Sequence, residues 1–261
     1  MARAKPEVAY DDVFDPFRPG GESEWDRHAK PGEARAKARS EELADGYLPY
    51  INGRDWIGKQ PPPREWLWPD RIPLGQTTFL TGVGGSGKSL MAQQIGTCVG
   101  SAVLFLGERI KPMRTIYITC EDSEEELIRR QHSICEATGV DFDWLMGHGD
   151  FALVSLAGVV GNDLMVKNAK GVWNTTERFD MLADNCDPHG ASPLFLILDN
   201  VAHFFSGDEN NRQDVTAFLN ALNKLCVDHN ATILLVGHPN KSGDEYSGST
   251  AWPNAVRHHL V

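Results

Sequence analysis

Cysteine is scarce and poorly spaced for ligation. Cys98, Cys120, Cys135, Cys186 and Cys226 are scattered, with no C-x-x-C pair and an odd total, which excludes a disulfide framework or a zinc knuckle as the organising feature. They read as small buried apolar groups in a reducing compartment. Long apolar runs are also missing: no stretch could span a bilayer, and no early basic-then-apolar segment marks secretion. A cytoplasmic protein without membrane partners is therefore expected. Positive charge is in deficit as well. With 25 Lys and Arg against 36 Asp and Glu, a net charge of −11 and a pI near 5.2, a generally basic, nucleic-acid-coating surface is excluded. A few basic or amide-rich loops can still meet a strand while the outside stays acidic. No internal repeat is evident. What remains is an ordinary globular composition, 41% hydrophobic and 23% charged over 261 residues, enough for one full α/β core with an appendage.

The most informative segment is Gly82-Val83-Gly84-Gly85-Ser86-Gly87-Lys88-Ser89, which fits G-x-x-x-x-G-K-[ST]. It follows the apolar run Thr77-Thr78-Phe79-Leu80 and precedes a helix-like stretch opening at Leu90. A backbone that wraps a polyphosphate needs positive φ angles and bare N–H groups, which glycine supplies. Lys88 would neutralise charge on the β and γ phosphates, and the Ser89 hydroxyl would ligate Mg²⁺ at the N-terminus of the following helix. Gly82 to Leu90 are taken as the nucleotide-binding run. A flexible Gly/Ser loop could match the pattern by chance, but the flanking elements and both functional side chains argue against that.

From Gln76 onward, short apolar runs alternate with helix-like segments, the pattern of a parallel sheet covered on both faces. The runs are Thr77–Leu80, Thr115–Thr119, Phe151–Ser155, Leu194–Leu198 and Thr232–Val236. Val215, Phe218, Leu219, Leu222, Leu225 and Cys226 form a helical stripe, with Asp214 as its expected N-cap. Ahead of the core, residues 1–48 read as a polar tail or accessory segment, in which Glu33 to Arg39 could form at most a solvated helix. Residues 49–75 read as a Pro/Trp-rich linker packing on the core. Within it Gln60 to Arg64 forms a stiff connector, and Trp66 and Trp68 dock on the core or, as a minor alternative, stack on an adenine or a neighbouring subunit. Residues 76–261 are the main domain.

Three further positions carry chemistry. Leu194 to Asp199 is a buried strand ending in a carboxylate. A strand-end Asp can simply serve a turn, but beside a P-loop the Mg²⁺ shell is the favoured role; Asn200 next to it adds a polar contact or shapes a turn. Thr115 to Asp122 delivers two carboxylates, of which Glu121 is expected to orient the attacking water, while Asp122 and Ser123 cap the next helix. Thr232 to His238 ends a third strand in a histidine that either satisfies a structural contact or senses the γ-phosphate.

Taken in order, Gly82 to Ser89, Glu121-Asp122, Asp199 with the segment through Arg212, Gly237-His238-Pro239 and Ser247 to Trp252 resemble the RecA-like ATPases of the plasmid RepA helicase family, particularly its phage and prophage group, over roughly residues 50–261. The resemblance implies a RecA-like P-loop α/β fold with a mostly parallel central sheet flanked by helices. It implies Mg-ATP bound by Lys88 and Ser89, water activated by Glu121, the metal supported by Asp199 and γ-phosphate sensed by His238. Arg257 is similar to the family's arginine finger, which enters the ATP site of the adjacent subunit and can contribute ~10³- to 10⁵-fold; an ordinary surface ion pair is the alternative. Relatives carry a second Arg two positions later, where this chain has His258-His259. The family also continues for several strands past Val261, so the sheet is expected to be short at its C-terminal end.

The expected protein is thus a ring-forming homo-oligomer, a hexamer by resemblance, that couples ATP hydrolysis to movement on single-stranded DNA alongside other replication proteins of a plasmid, phage or mobile element. The loop Asn240 to Gly248, with Lys241 and Tyr246, is the candidate DNA-facing segment or else a plain connector. A recombination or repair ATPase, or a hydrolysis-deficient nucleotide-dependent interaction module, are the rival readings.

Overall fold

The computed structural model describes residues 46, 48, 50–186, 193–237 and 251–261. Its centre is a six-stranded, wholly parallel sheet. The strands are β3 (Thr77–Leu80), β4 (Arg114–Thr119), β5 (Phe151–Ser155), β8 (Leu194–Asp199), β9 (Ala231–Val236) and β10 (His258–Leu260), in the spatial order β10-β3-β9-β8-β4-β5. Two antiparallel hairpins stand outside it: β1 (Trp66–Trp68) with β2 (Ile72–Pro73), and β6 (Met165–Lys167) with β7 (Trp173–Thr175).

Alternation along the strands builds two cores. In β8, Leu194, Leu196 and Leu198 face one layer while Phe195 and Ile197 face the other, all with no exposed surface. Sequence runs this uniformly apolar form a strand covered on both faces, because each successive side chain needs its own apolar layer. One layer holds α4 (Glu177–Cys186), α6 (Arg212–Asp228) and the short α7 (Ala251–Ala255); the other holds α1 (Lys88–Gly100), α2 (Glu124–Thr138), α3 (Phe142–His148) and the β1–β2 hairpin. The stripe on α6 is buried as its spacing predicts, with Val215, Phe218, Leu219, Leu222, Leu225 and Cys226 all at or below 2% exposure.

Of the two tryptophans expected to dock, Trp68 is buried in the core, with Leu67 beside it, while Trp66 is only partly buried and meets His258 edge-on. The Trp68 indole meets Phe105 edge-on, donates to Glu108 at 2.6 Å and carries the Arg71 guanidinium 4.5 Å from its ring centre. Trp252 packs among Phe79, Phe205 and Phe218.

Two caps differ from expectation. The N-cap of α6 is Asn211, which accepts from the N–H groups of Gln213 and Asp214. Asp214 is instead buried beside the β6–β7 hairpin, accepting from Lys167 at 2.7 Å and from Trp173 at 3.3 Å. At the start of α2, Ser123 alone is the cap, while Asp122 pairs with Arg130 at 2.8 Å. Asp214 lies inside the first turn of α6 and takes Lys167 from the β6–β7 hairpin as well as the Asp208 N–H, while Asp122 is reached by Arg130 from two turns further along α2 itself. The C-terminal strand β10 was not among the anticipated runs; it adds parallel to β3, with His258 opposite Thr78 and Leu260 opposite Leu80.

Among the described residues no helix is long and apolar enough to cross a membrane. Of the expected tail 1–48, all but residues 46 and 48 lie outside the described residues.

Candidate nucleotide site

Because all six strands are parallel, their carboxyl ends line one edge, and the loops leaving them share it. The loop after β3 is the Gly82 to Ser89 run, which turns directly into α1. Gly85 and Gly87 have φ of 76° and 87°, values an L side chain adopts only with strain. Gly87 is also the left-handed cap from which α1 starts. A Cβ on Gly82 would stand 3.0 Å from Ser86 Oγ and 3.4 Å from Lys88 Cδ, so this position is bare for close packing. Positive-φ glycines ahead of a 13-residue helix make a concave run of N–H groups suited to an anion.

Lys88 is buried, and its Nζ donates to the carbonyls of Gly82 at 2.7 Å and Val83 at 2.9 Å. Burial pulls its pKa below the ordinary lysine range, opposed by the carboxylates of Asp199 and Glu121. The ammonium is thus folded onto its own loop, next to the acids with which it would share a triphosphate. Val83 and Leu90, at the loop's crown and on the first turn of α1, are exposed.

Strand parity explains why the acids converge. Asp199 follows Phe195 and Ile197 in the alternation, so it points to the α1 face; Thr119 lies opposite it in register, and Tyr117 has the same parity. Glu121 leaves the end of β4 beside it. The Asp199 carboxylate accepts from Tyr117 Oη at 2.5 Å and from the Ser89 hydroxyl. Burial nevertheless raises its pKa, with Glu121 and Asp122 pushing the same way. A carboxylate held in its charged form at this depth needs a cation, and a hydroxyl plus a carboxylate are hard oxygen donors of the kind Mg²⁺ accepts. Among the described residues no three His, Cys, Asp or Glu side chains group as a metal cage.

Asn200, read from the sequence as a polar contact or a turn former, does both, its Oδ1 accepting from the Ala202 N–H at 3.0 Å, and several residues that sequence reasoning did not single out join it in holding this edge together. Asn200 Nδ2 donates to Glu121 Oε1 at 2.5 Å, and His203 Nε2, from α5 (Val201–Phe204), lies 3.4 Å from the same oxygen. The Glu121 N–H donates to Thr119 Oγ1 at 3.2 Å, and Ser155 Oγ donates to the Asp122 carbonyl at 2.7 Å. Arg130 joins Asp122 to Gln93 of α1, 3.3 Å away. Gln93 donates to Gln131, which donates in turn to Thr97, all fully buried.

A model of the AAA domain matches residues 52–244. The chain belongs to that family. No curated protein matches it. The match covers the Gly82 to Ser89 loop, Glu121 and Asp199, and with the parallel sheet it makes the chain a nucleotide-binding P-loop ATPase of RecA-like fold. AAA domains generally bind ATP with Mg²⁺, and the residues at this edge fit both. His238 and the loop 240–248 lie outside the described residues. Arg257, beyond the matched span, is exposed at the amino end of β10 and has no ion pair among the described residues. It is therefore not brought to the Lys88, Glu121 and Asp199 edge of its own subunit.

Proposed function

We propose that this AAA domain hydrolyses Mg-ATP at the seam between neighbouring copies in a ring, and that it is a RepA-like helicase moving on single-stranded DNA in the replication of a plasmid, phage or mobile element. The observation that carries the reading is the separation of the charges. Lys88, Ser89, Glu121 and Asp199 gather at the carboxyl edge, while Arg257 precedes His258, which is opposite Thr78. It thus stands about 10 to 13 Å of strand back from that edge. A finger so placed serves a neighbour's site.

Bound Mg-ATP would supply the electrophilic γ-phosphoryl group. Glu121 Oε takes the proton from the attacking water, and Asn200 and His203 fix which carboxylate oxygen faces it. Lys88 leaves the Gly82 and Val83 carbonyls to meet phosphate oxygens. Ser89 and Asp199 would hold the metal, and Tyr117 prevents the Asp199 carboxylate from rotating. Arg257 of the next copy offsets the charge that develops on transfer.

The test is the ATPase rate with and without single-stranded DNA, measured together with mass in solution and strand displacement on a forked duplex. DNA-stimulated hydrolysis by an oligomer that unwinds the fork is expected. Strand exchange without unwinding would assign the same core to recombination, and a monomer hydrolysing at full rate would end the shared-site reading.

A further inference from the structure

Exposed arginines stand beside the edge strand β10, and an acidic helix turn stands beside β4 towards the other edge of the sheet. At the β10 end, Arg64 sits 5.5 Å over the Trp66 ring, and its Nη1 lies 3.3 Å from His258 Nε2. Trp66 meets the same imidazole edge-on at 5.2 Å. Burial, Arg64 and Arg257 all hold His258 below the usual histidine range, so the ring is neutral near pH 7 and serves as an acceptor for Arg64. Arg257 directly precedes His258 in the chain, so Arg64, bonded to that imidazole, stands beside the same strand start. Neither has an ion pair among the described residues, and both are exposed.

Four strand spacings away, about 19 Å, lies β4, and α2 leaves its carboxyl end with Glu124, Glu125 and Glu126 in its first turn. Glu124 and Glu125 are exposed, and Glu124 has no ion pair among the described residues. This acidic turn begins three residues past Glu121.

We infer that Arg64, set on Trp66 and His258, is a docking surface for the acidic first turn of α2 of a second copy of this chain. The inference rests on the shared-site reading, since any contact that carries Arg257 to a neighbour's Glu121 edge carries Arg64 to the turn beside it. The two surfaces are different patches towards opposite edges of one sheet, so the contact is head-to-tail and propagates from copy to copy until the rotation closes a ring. A nucleic acid is the poorer occupant for the whole seam, because the Glu121 to Glu126 carboxylates would repel its phosphates. An indole under a guanidinium keeps the cation extended towards the partner, and the long-range attraction speeds encounter.

The experiment is a charge swap read by sedimentation velocity in Mg-ATP. Arg64→Glu, and separately Glu124→Arg with Glu125→Arg, should each raise the concentration needed for half-assembly at least about tenfold, while their equimolar mixture should return close to wild type. Raising salt should weaken wild-type assembly in the same direction. If Arg64→Glu folds poorly by circular dichroism, Arg64→Ala should show a smaller shift of the same sign. Wild-type assembly by Arg64→Glu, or a mixture no better than its parents, overturns the inference. Intact assembly with lost single-stranded DNA binding also overturns it and gives the patch to nucleic acid. Mixing Arg257→Ala with Lys88→Ala subunits separates the two levels. Recovered ATPase there, with Arg64→Glu neutral, removes only the Arg64 contact; no recovery in any mixture removes the shared site itself.

Discussion

Tyr117 donates its hydroxyl proton to Asp199 Oδ2 at 2.5 Å across the β4–β8 seam, with both side chains buried on the face that carries α1. Burial and the Asp199 charge hold the phenol far above its ordinary pKa, so the tyrosine stays a donor at every working pH. The second bond, from Ser89, joins the phosphate loop to the same carboxylate. Asp199 is thereby fixed from both sides before any nucleotide arrives.

Tyr117→Phe should therefore cost about 1 to 3 kcal/mol of stability in urea, the range for a buried acceptor left without its donor. It should also raise the Mg²⁺ concentration needed for half-maximal hydrolysis, since the freed carboxylate can turn away from Ser89. A variant with wild-type stability and wild-type Mg²⁺ dependence would show the bond to be idle.

Asp199→Asn tests the cost of burying this carboxylate. Its folded-state pKa is raised, chiefly by burial, so the native chain binds the proton more tightly than the unfolded one. The associated stability is complete below the unfolded carboxylate value, about 3.9, and is lost as pH rises through the raised folded value. Near neutrality the ionised group destabilises the nucleotide-free protein. Asn, which still accepts from Tyr117, should melt higher than wild type at pH 7 without nucleotide, by a margin that shrinks toward acid pH. Mg²⁺-dependent hydrolysis should be lost. A lower melting temperature for the variant at pH 7 would contradict the sign of this argument.

That a parallel sheet is covered on both faces was legible in the sequence because continuous apolar runs and the α6 stripe are local patterns. Leu194 to Leu198 could be nothing but a doubly covered strand. β10 was not legible: His258-His259-Leu260 is short and half polar, and its pairing depends on β3, about 180 residues away. The hairpin strands β6 and β7, three residues each, carry too few alternations to register. The P-loop, Glu121 and Asp199 could be read from motif and strand position. Their supports could not: Tyr117 looks like any other strand residue until the register sets Thr119 opposite Asp199. Away from the site, Asp214 likewise looks like a cap until Lys167 arrives.

Glu121→Gln keeps an oxygen for Asn200 to donate to, so the local fold should hold and nucleotide should bind as before. Turnover should fall by ~10²- to 10⁴-fold, the usual contribution of a positioned base. Equilibrium binding of a fluorescent ATP analogue beside steady-state hydrolysis checks both halves. Undiminished hydrolysis would remove Glu121 from the chemistry and leave it a structural partner of Asn200 and His203.

Arg130 is the joint between the two helices that flank this edge. Its guanidinium reaches Asp122 at 2.8 Å and Gln93 at 3.3 Å, and its side chain is 15% exposed. Asp122 follows Glu121 directly, while Gln93 lies five residues past Lys88 on α1, so one nitrogen, Nη1, ties the water-activating loop to the helix that leaves the phosphate loop. Arg130→Ala leaves a half-buried carboxylate and an amide oxygen unpaired, which should cost on the order of 1.5 to 3 kcal/mol. The sharper expectation is kinetic. With Glu121 less well placed but the phosphate loop intact, kcat per folded molecule should fall about tenfold or more while KM for ATP moves little. Both bonds leave Nη1, which the shorter lysine stem cannot bring to the same point, so Arg130→Lys should restore most of the stability and only part of kcat. A purely structural Arg130 would instead lower the melting temperature in both variants and leave kcat of the folded fraction unchanged.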